Sequence, residues 1–167
     1  MTFQNAYGFD DIALAPSDQT IDESDVDISI NLAGIHLDIP IIASAMDSVC
    51  SPEFIIQLGK LGATGVLNLE GVHGRYSEPD SVLAKIAQVS NADYVSTMQA
   101  IYQKEGVKPE LITACIQRIK AAGVPVIVSS TPQQASKLGA IAAAAGADAF
   151  VIQSTVISNN FLSRNAE

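Results

Sequence analysis

No lysine or arginine occurs in the first 59 residues, which carry ten aspartates and glutamates, while the rest of the chain divides nine basic against eight acidic side chains. With a formal net charge of −9 over 167 residues, the sequence has no basic stripe to neutralise phosphates. That excludes a nucleic-acid-binding surface and argues against docking on anionic membranes. No apolar run reaches the ~18 residues a membrane span requires. The start, Met1-Thr2-Phe3-Gln4-Asn5, lacks the basic region and apolar core of a signal peptide. Only two cysteines occur, Cys50 and Cys115, without metal-ligand spacing, so a reduced, cytoplasmic protein is expected. Glycine-rich dinucleotide and phosphate loops, the paired-histidine zinc helix and the hydrolase serine elbow are also missing.

What is present is aliphatic. Aromatics make up 5% of a chain that is 48% hydrophobic, which suits α/β layers and excludes disorder. At ~100–200 residues per domain, a single domain is expected. Three segments repeat one pattern: Leu58 to Gly62 before Thr64–Asn68, Arg118 to Gly123 before Pro125–Ser129, and Ile141 to Gly146 before Asp148–Gln153. Each reads as a helix end, a glycine suited to a left-handed cap, then a short apolar run of the kind found in strands buried on both faces. A fourth run covers Ile39–Ser44. The expected order is strand 39–45, helix 52–61, strand 64–68, helices within 80–122, strand 125–130, helix 133–145 and strand 148–153. Ser51, Pro52 and Glu53 mark a helix start, as do Pro109 and Pro132. Alternating strands and helices give a parallel sheet. Residues 1–38 read as an acidic extended arm with at most short strands over 26–32, and residues 72–80 as a polar loop.

In parallel α/β folds ligands bind at the C-terminal ends of the strands. The first such end, Ile39-Pro40-Ile41-Ile42-Ala43-Ser44-Ala45-Met46-Asp47-Ser48-Val49, resembles the first barrel strand of the IMP dehydrogenase/GMP reductase family. Upstream, Tyr7-Gly8-Phe9-Asp10-Asp11-Ile12-Ala13-Leu14-Ala15-Pro16 is similar to that family's opening segment, and Asp25-Val26-Asp27 stands where it has a Val-Asp-Thr-Ser stretch. The resemblance covers most of the chain, without a CBS insertion after the second strand, and looks closest to the CBS-free branch. It implies a TIM barrel that oxidises IMP with NAD or reduces GMP with NADPH. A closed barrel typically needs ~250 residues, so the expected fold is a partial (β/α)8 barrel: about the first four βα units at 39–167, behind the arm at 1–38.

By position, the resemblance places Ser44 and Met46 against a purine mononucleotide, where a hydroxyl can reach ribose or phosphate and a thioether can pack on a flat base. Asp47 reads instead as a turn residue or support for the helix at Ser51. Cofactor contacts, to NAD or NADP, are implied at Asn68 and at Gln153, Ser154 and Thr155. The family commonly has histidine where Asn68 stands, and an aspartate where Gln153 stands. Ser129, Ser130 and Thr131 could face a ligand, although Thr131 before Pro132 reads first as an N-cap. The family's cysteine nucleophile belongs to a loop after the sixth strand. Cys50 and Cys115 read as packed hydrophobes in its stead, His73 as a solvated loop histidine and His36 as a surface residue. The expectation is therefore the N-terminal half of a purine-nucleotide oxidoreductase, inactive alone and marginal or self-associating. The alternatives are an open, flavodoxin-like α/β module for a phosphorylated ligand, and an interaction protein that completes a barrel.

Overall fold

A computed structural model describes residues 5–16 and 18–154. Strands β1 (Ile30–Leu32) and β2 (Ile35–Leu37) form a hairpin, followed by β3 (Ile42–Ala43), α1 (Pro52–Lys60) and β4 (Thr64–Asn68). A 3-10 turn (Val72–Gly74) leads to α2 (Pro79–Ala87), α3 (Tyr94–Lys104) and α4 (Pro109–Ala121), then β5 (Ile127–Ser130), α5 (Pro132–Ala145) and β6 (Ala149–Ile152). The helix starts follow the local chemistry. Ser51 Oγ accepts from the Phe54 N–H at 3.1 Å, Pro52 occupies the first turn, and Pro79, Pro109 and Pro132 open three more helices. Gly62, Gly123 and Gly146, which end α1, α4 and α5, all take positive φ, as left-handed exits from a helix require. β3 is shorter than the apolar run 39–45 because Pro40 has no N–H to give to a ladder.

β3, β4, β5 and β6 form one parallel sheet in sequential order, with Ile42 opposite Thr64, Leu67 opposite Val128 and Val128 opposite Phe150. Strand alternation sorts their side chains to two faces. Leu67, Val128 and Phe150 join Ile112, Ile116, Ile119 and Leu138 from α4 and α5 in the larger core. Each fully buried Ile or Leu there contributes about 1.5–3 kcal/mol relative to exposure. Val66, Ile127, Ile42 and Ala149 point to the other face, where Ile35 and Leu37 of the hairpin meet them. Helices on one face and strands in chain order are how successive βα units of a barrel are laid down. A doubly wound, flavodoxin-like sheet has helices on both faces and a reversal in strand order, and neither is present among the described residues.

The hairpin departs from the sequence reading. At most short strands were expected over 26–32 and β1 is one of that kind, but β2 was not anticipated. The two strands turn at Ala33 and Gly34, both at positive φ, as a two-residue hairpin loop of the favoured twist requires. Among the described residues no helix is long and apolar enough to cross a membrane.

Candidate functional site

The C-terminal ends of β3 to β6 form a rim, and the sequence-predicted residues fall along it. After β3 the chain turns sharply: the Ser44 carbonyl accepts from the Met46 N–H at 2.8 Å, and the Met46 carbonyl from the N–H groups of Val49 and Cys50. Ser44 is exposed and Met46 is 50% exposed, so both side chains stand open on the rim. At the end of β4, Asn68 Oδ1 accepts from the Glu70 N–H at 3.1 Å, which fixes the turn there. At the end of β6, exposed Gln153 accepts from Ser129 Oγ at 3.3 Å through its amide oxygen. Ser154 follows, also exposed, and Thr155 lies outside the described residues.

Asp47 lies in a turn, as one of its two sequence readings has it, but it does not support the helix at Ser51. Ser51 caps α1 by itself, and the Asp47 carboxylate does not serve that helix. Oδ2 accepts from the Val72 N–H at 2.7 Å and from the Tyr102 hydroxyl. Any side chain at Gly71 would overlap the Asp47 carboxylate, so glycine there permits the close approach. Burial pushes the Tyr102 phenol well above its ordinary value, and the Asp47 hydrogen bond and charge push it further, so it remains a protonated donor.

Arg75 extends this clamp. Its guanidinium donates to the carbonyls of Glu70 (2.8 Å), Tyr102 (3.1 Å) and Glu105 (2.7 Å) and lies 5.3 Å from the Tyr102 ring centre. The Tyr76 hydroxyl donates to the Ile101 carbonyl at 2.7 Å. Glu70 continues the chain of contacts by accepting from the Thr131 N–H at 2.6 Å. Thr131 thus holds the N-cap position of α5 without using its hydroxyl as the cap. Three side chains therefore step around the rim: Asp47 to the loop after β4, Glu70 to the end of β5, and Ser129 to the end of β6. None was singled out as a clamp from sequence, because the partners are 24 to 61 positions apart.

The start of the loop expected to be polar is buried. Val72, His73 and Gly74 are all buried against α4, and His73 is 5% exposed rather than solvated. Its Nε2 has no partner among the described residues. Ser129 and Ser130 are buried too, with Ser130 Oγ donating to the Thr131 carbonyl at 3.0 Å, so neither hydroxyl opens toward a ligand. Cys50 and Cys115 behave as expected of packed side chains. Cys50 sits in the larger core with its thiol 3.6 Å from the Ala43 carbonyl, and Cys115 packs against the same core. Burial pushes both thiols up, for Cys115 with help from Glu53, which is the opposite of an activated nucleophile. His36 is exposed, hydrogen-bonded to Asn31 at 3.1 Å.

The donor set decides what the rim can hold. Ser44, Asn68, Gln153 and Ser154 offer hydroxyls and amides suited to ribose hydroxyls or base edges. Arg75, which donates to the Glu70 carbonyl here, is committed to three carbonyls, while Lys137 of α5 lines a pocket with Glu70 and Arg75. Among the described residues, these side chains fit the nucleoside parts of a nucleotide and a dinucleotide. A larger cavity of about 560 Å³ lies at the opposite end of the sheet, between the hairpin tip and the starts of β5 and β6, lined partly by the Lys120–Asp148 pair. It shares no residue with the rim.

Residues 6–162 match the family model described as the IMP dehydrogenase/GMP reductase domain. An uncharacterized oxidoreductase of Mycolicibacterium smegmatis is 33% identical over 171 residues, which cover 99% of this chain and 45% of that protein. The inosine-5'-monophosphate dehydrogenase of Methanocaldococcus jannaschii is 43% identical over 65 residues, 39% of this chain and 13% of that protein. The crystal structure of an IMP dehydrogenase/GMP reductase-like protein from Corynebacterium glutamicum superposes with a TM-score of 0.84 at 32% identity, covering 93% of this chain and 43% of that one. The chain thus spans about half the length of the relatives it matches along its whole length.

Proposed function

The chain belongs to the IMP dehydrogenase/GMP reductase family, and from that premise we propose that it supplies the N-terminal half of a purine-nucleotide oxidoreductase site. The division is arm 1–38 and half-barrel 39–167. The observation that carries the reading is the rim, where Ser44 and Met46 stand open at one end of a four-strand row and Gln153 and Ser154 at the other. The Met46 thioether packs on the purine and the Ser44 hydroxyl binds the ribose or phosphate of a mononucleotide. Asn68, Gln153, Ser154 and Thr155 orient NAD or NADP, which supplies the hydride acceptor or donor when bound. Asp47, Glu70 and Ser129 touch neither ligand and hold the strand ends in register. The setting is a reducing, cytoplasmic one, in keeping with two thiols that are buried or half-buried and unbridged.

Chemistry at the purine needs a nucleophile. Both thiols of these 167 residues are packed away from the rim, so the chain alone binds without turning over. Calorimetric titration with IMP and with GMP tests this. Weak binding that Met46→Ala weakens several-fold is expected, with no NADH formed from IMP and NAD. Equal affinity of the variant would remove Met46 from the site, and NADH formation above the blank would overturn the division of labour.

A further inference from the structure

Between β4 and α4, which packs Ile112, Ile116 and Ile119 into the larger core, the chain makes an excursion through α2 and α3. α2 buries Val82 and α3 buries none of its residues, with Val95 64% exposed. What seats α3 is polar and lies at its C-terminal end. The carbonyls of Ile101 and Tyr102 are among the last four that a helix leaves without internal partners, and they accept from the Tyr76 hydroxyl and the Arg75 guanidinium. Arg75 also holds the Glu105 carbonyl just beyond and lies over the Tyr102 ring. From that seat the Tyr102 hydroxyl crosses to Asp47, the neighbour of Met46 in the turn after β3. The turn is closed on itself by the N–H groups of Met46, Val49 and Cys50. Among the described residues, the side-chain bonds that tie it to the rest of the rim are the two that Asp47 accepts, from Val72 and from Tyr102.

We propose that Tyr102 is a positioning residue of the nucleotide site, and that through it the α2–α3 excursion sets the turn that presents Ser44 and Met46 to a purine mononucleotide. The inference rests on the reading of those two residues as nucleotide contacts. Two donors from different elements converge on one oxygen, Asp47 Oδ2, and fix where it sits. With the Val72 N–H alone the carboxylate can pivot about a single bond, and the Met46 backbone beside it gains the same freedom. Tyr102 is itself already placed, by the Arg75 guanidinium over its ring and by the bond to its carbonyl, so holding Asp47 orders nothing further. Gly71 leaves the room that this carboxylate needs. Coupling of this kind is reciprocal: a nucleotide that selects the fixed turn also tightens the bond between Asp47 and Tyr102. α3 therefore takes part in nucleotide binding without touching the nucleotide.

The test is titration with IMP of the full chain carrying isotope-labelled amides and fluorotyrosine at its four tyrosines. Tyr102→Phe assigns the Tyr102 fluorine signal. The amides of Ser44 to Asp47 and the Tyr102 fluorine should shift along one binding curve. In calorimetry Tyr102→Phe should weaken IMP binding roughly fivefold, while Val95→Ala at the exposed start of α3 leaves it unchanged. A tyrosine that merely braces the fold would lower the thermal transition when replaced, yet leave the IMP affinity as it was, and that result would overturn the proposal. So would IMP that shifts the Ser44 to Asp47 amides and leaves the Tyr102 fluorine still. Amides that stay silent at saturating IMP would remove the nucleotide from the rim and this proposal with it, so the two failures are told apart.

Discussion

At the rim of the sheet, polar side chains tie each strand end to the next: Asp47 to Val72, Glu70 to Thr131 and Ser129 to Gln153. At the floor the same four strands rest on an apolar hairpin face, of which two residues are buried and two are not. Directional hydrogen bonds hold their geometry within this half, whereas a non-directional apolar contact needs area, and here half of the area is open. A sheet built in this way keeps its strand ends in place while half of its floor contact stays open.

The sharpest way to break that contrast is inside the hairpin itself. Leu37→Ala removes a fully buried side chain and should cost about 3 kcal/mol in denaturant unfolding. Leu32→Ala, on the same face, should stay within ~0.5 kcal/mol for a surface position. Equal costs would mean that the face is not half covered.

The rim comes next. Asp47→Ala strands the Val72 N–H and the Tyr102 hydroxyl, at a cost of about 2 kcal/mol. Hydrogen exchange should quicken at Val72 to Tyr76 and stay slow at Leu37. Tyr102→Phe removes one of the two bonds and should cost about 1 kcal/mol. If exchange at Val72 did not change in Asp47→Ala, the clamp would be ornamental.

A smaller effect separates polar ties at the floor from those at the rim. Asp148 accepts from Lys120 Nζ at 2.7 Å and from the Val126 N–H at 2.9 Å. Partial burial works against its ionised form, but these two donors outweigh it and hold the carboxyl below its ordinary value. A carboxyl lowered in the folded state contributes stability that is full above the unfolded value, ~3.9, and is lost as pH falls through the lower folded value. Asp148→Ala should therefore cost about 1 kcal/mol at neutral pH. Melting curves of the chain and the variant should draw together below pH ~4.

The smallest change is a gain. Ala33 holds a left-handed conformation with φ of 51°, which costs a residue with a Cβ about 1 kcal/mol. Ala33→Asn makes an Asn-Gly turn and should stabilise by ~0.5 kcal/mol.

What was legible in the sequence was what local chemistry dictates. Glycines closing three helices, prolines opening three and the aliphatic runs between them mark the βα units, because caps and periodicity act within a few residues. The hairpin was half legible. Ile30–Leu32 has the character of a strand, but Ala33 gives no sign of a left-handed turn, so β2 went unseen. The rim clamps were illegible for a different reason. Asp47 in a turn, Glu70 after a strand and Arg75 in a polar stretch each have an ordinary local reading, and only the fold brings Val72, Thr131 and Tyr102 to them. The same holds for His73, whose polar neighbours in sequence conceal a turn buried against α4.

The most direct measurement is an amide-shift map of the isotope-labelled chain during titration with IMP. Shifts concentrated at Ser44 to Asp47, with the hairpin and the Lys120–Asp148 cavity silent, are the expected result. Shifts confined to the floor, or none at saturating nucleotide, would contradict the assignment of the rim as the nucleotide-binding half.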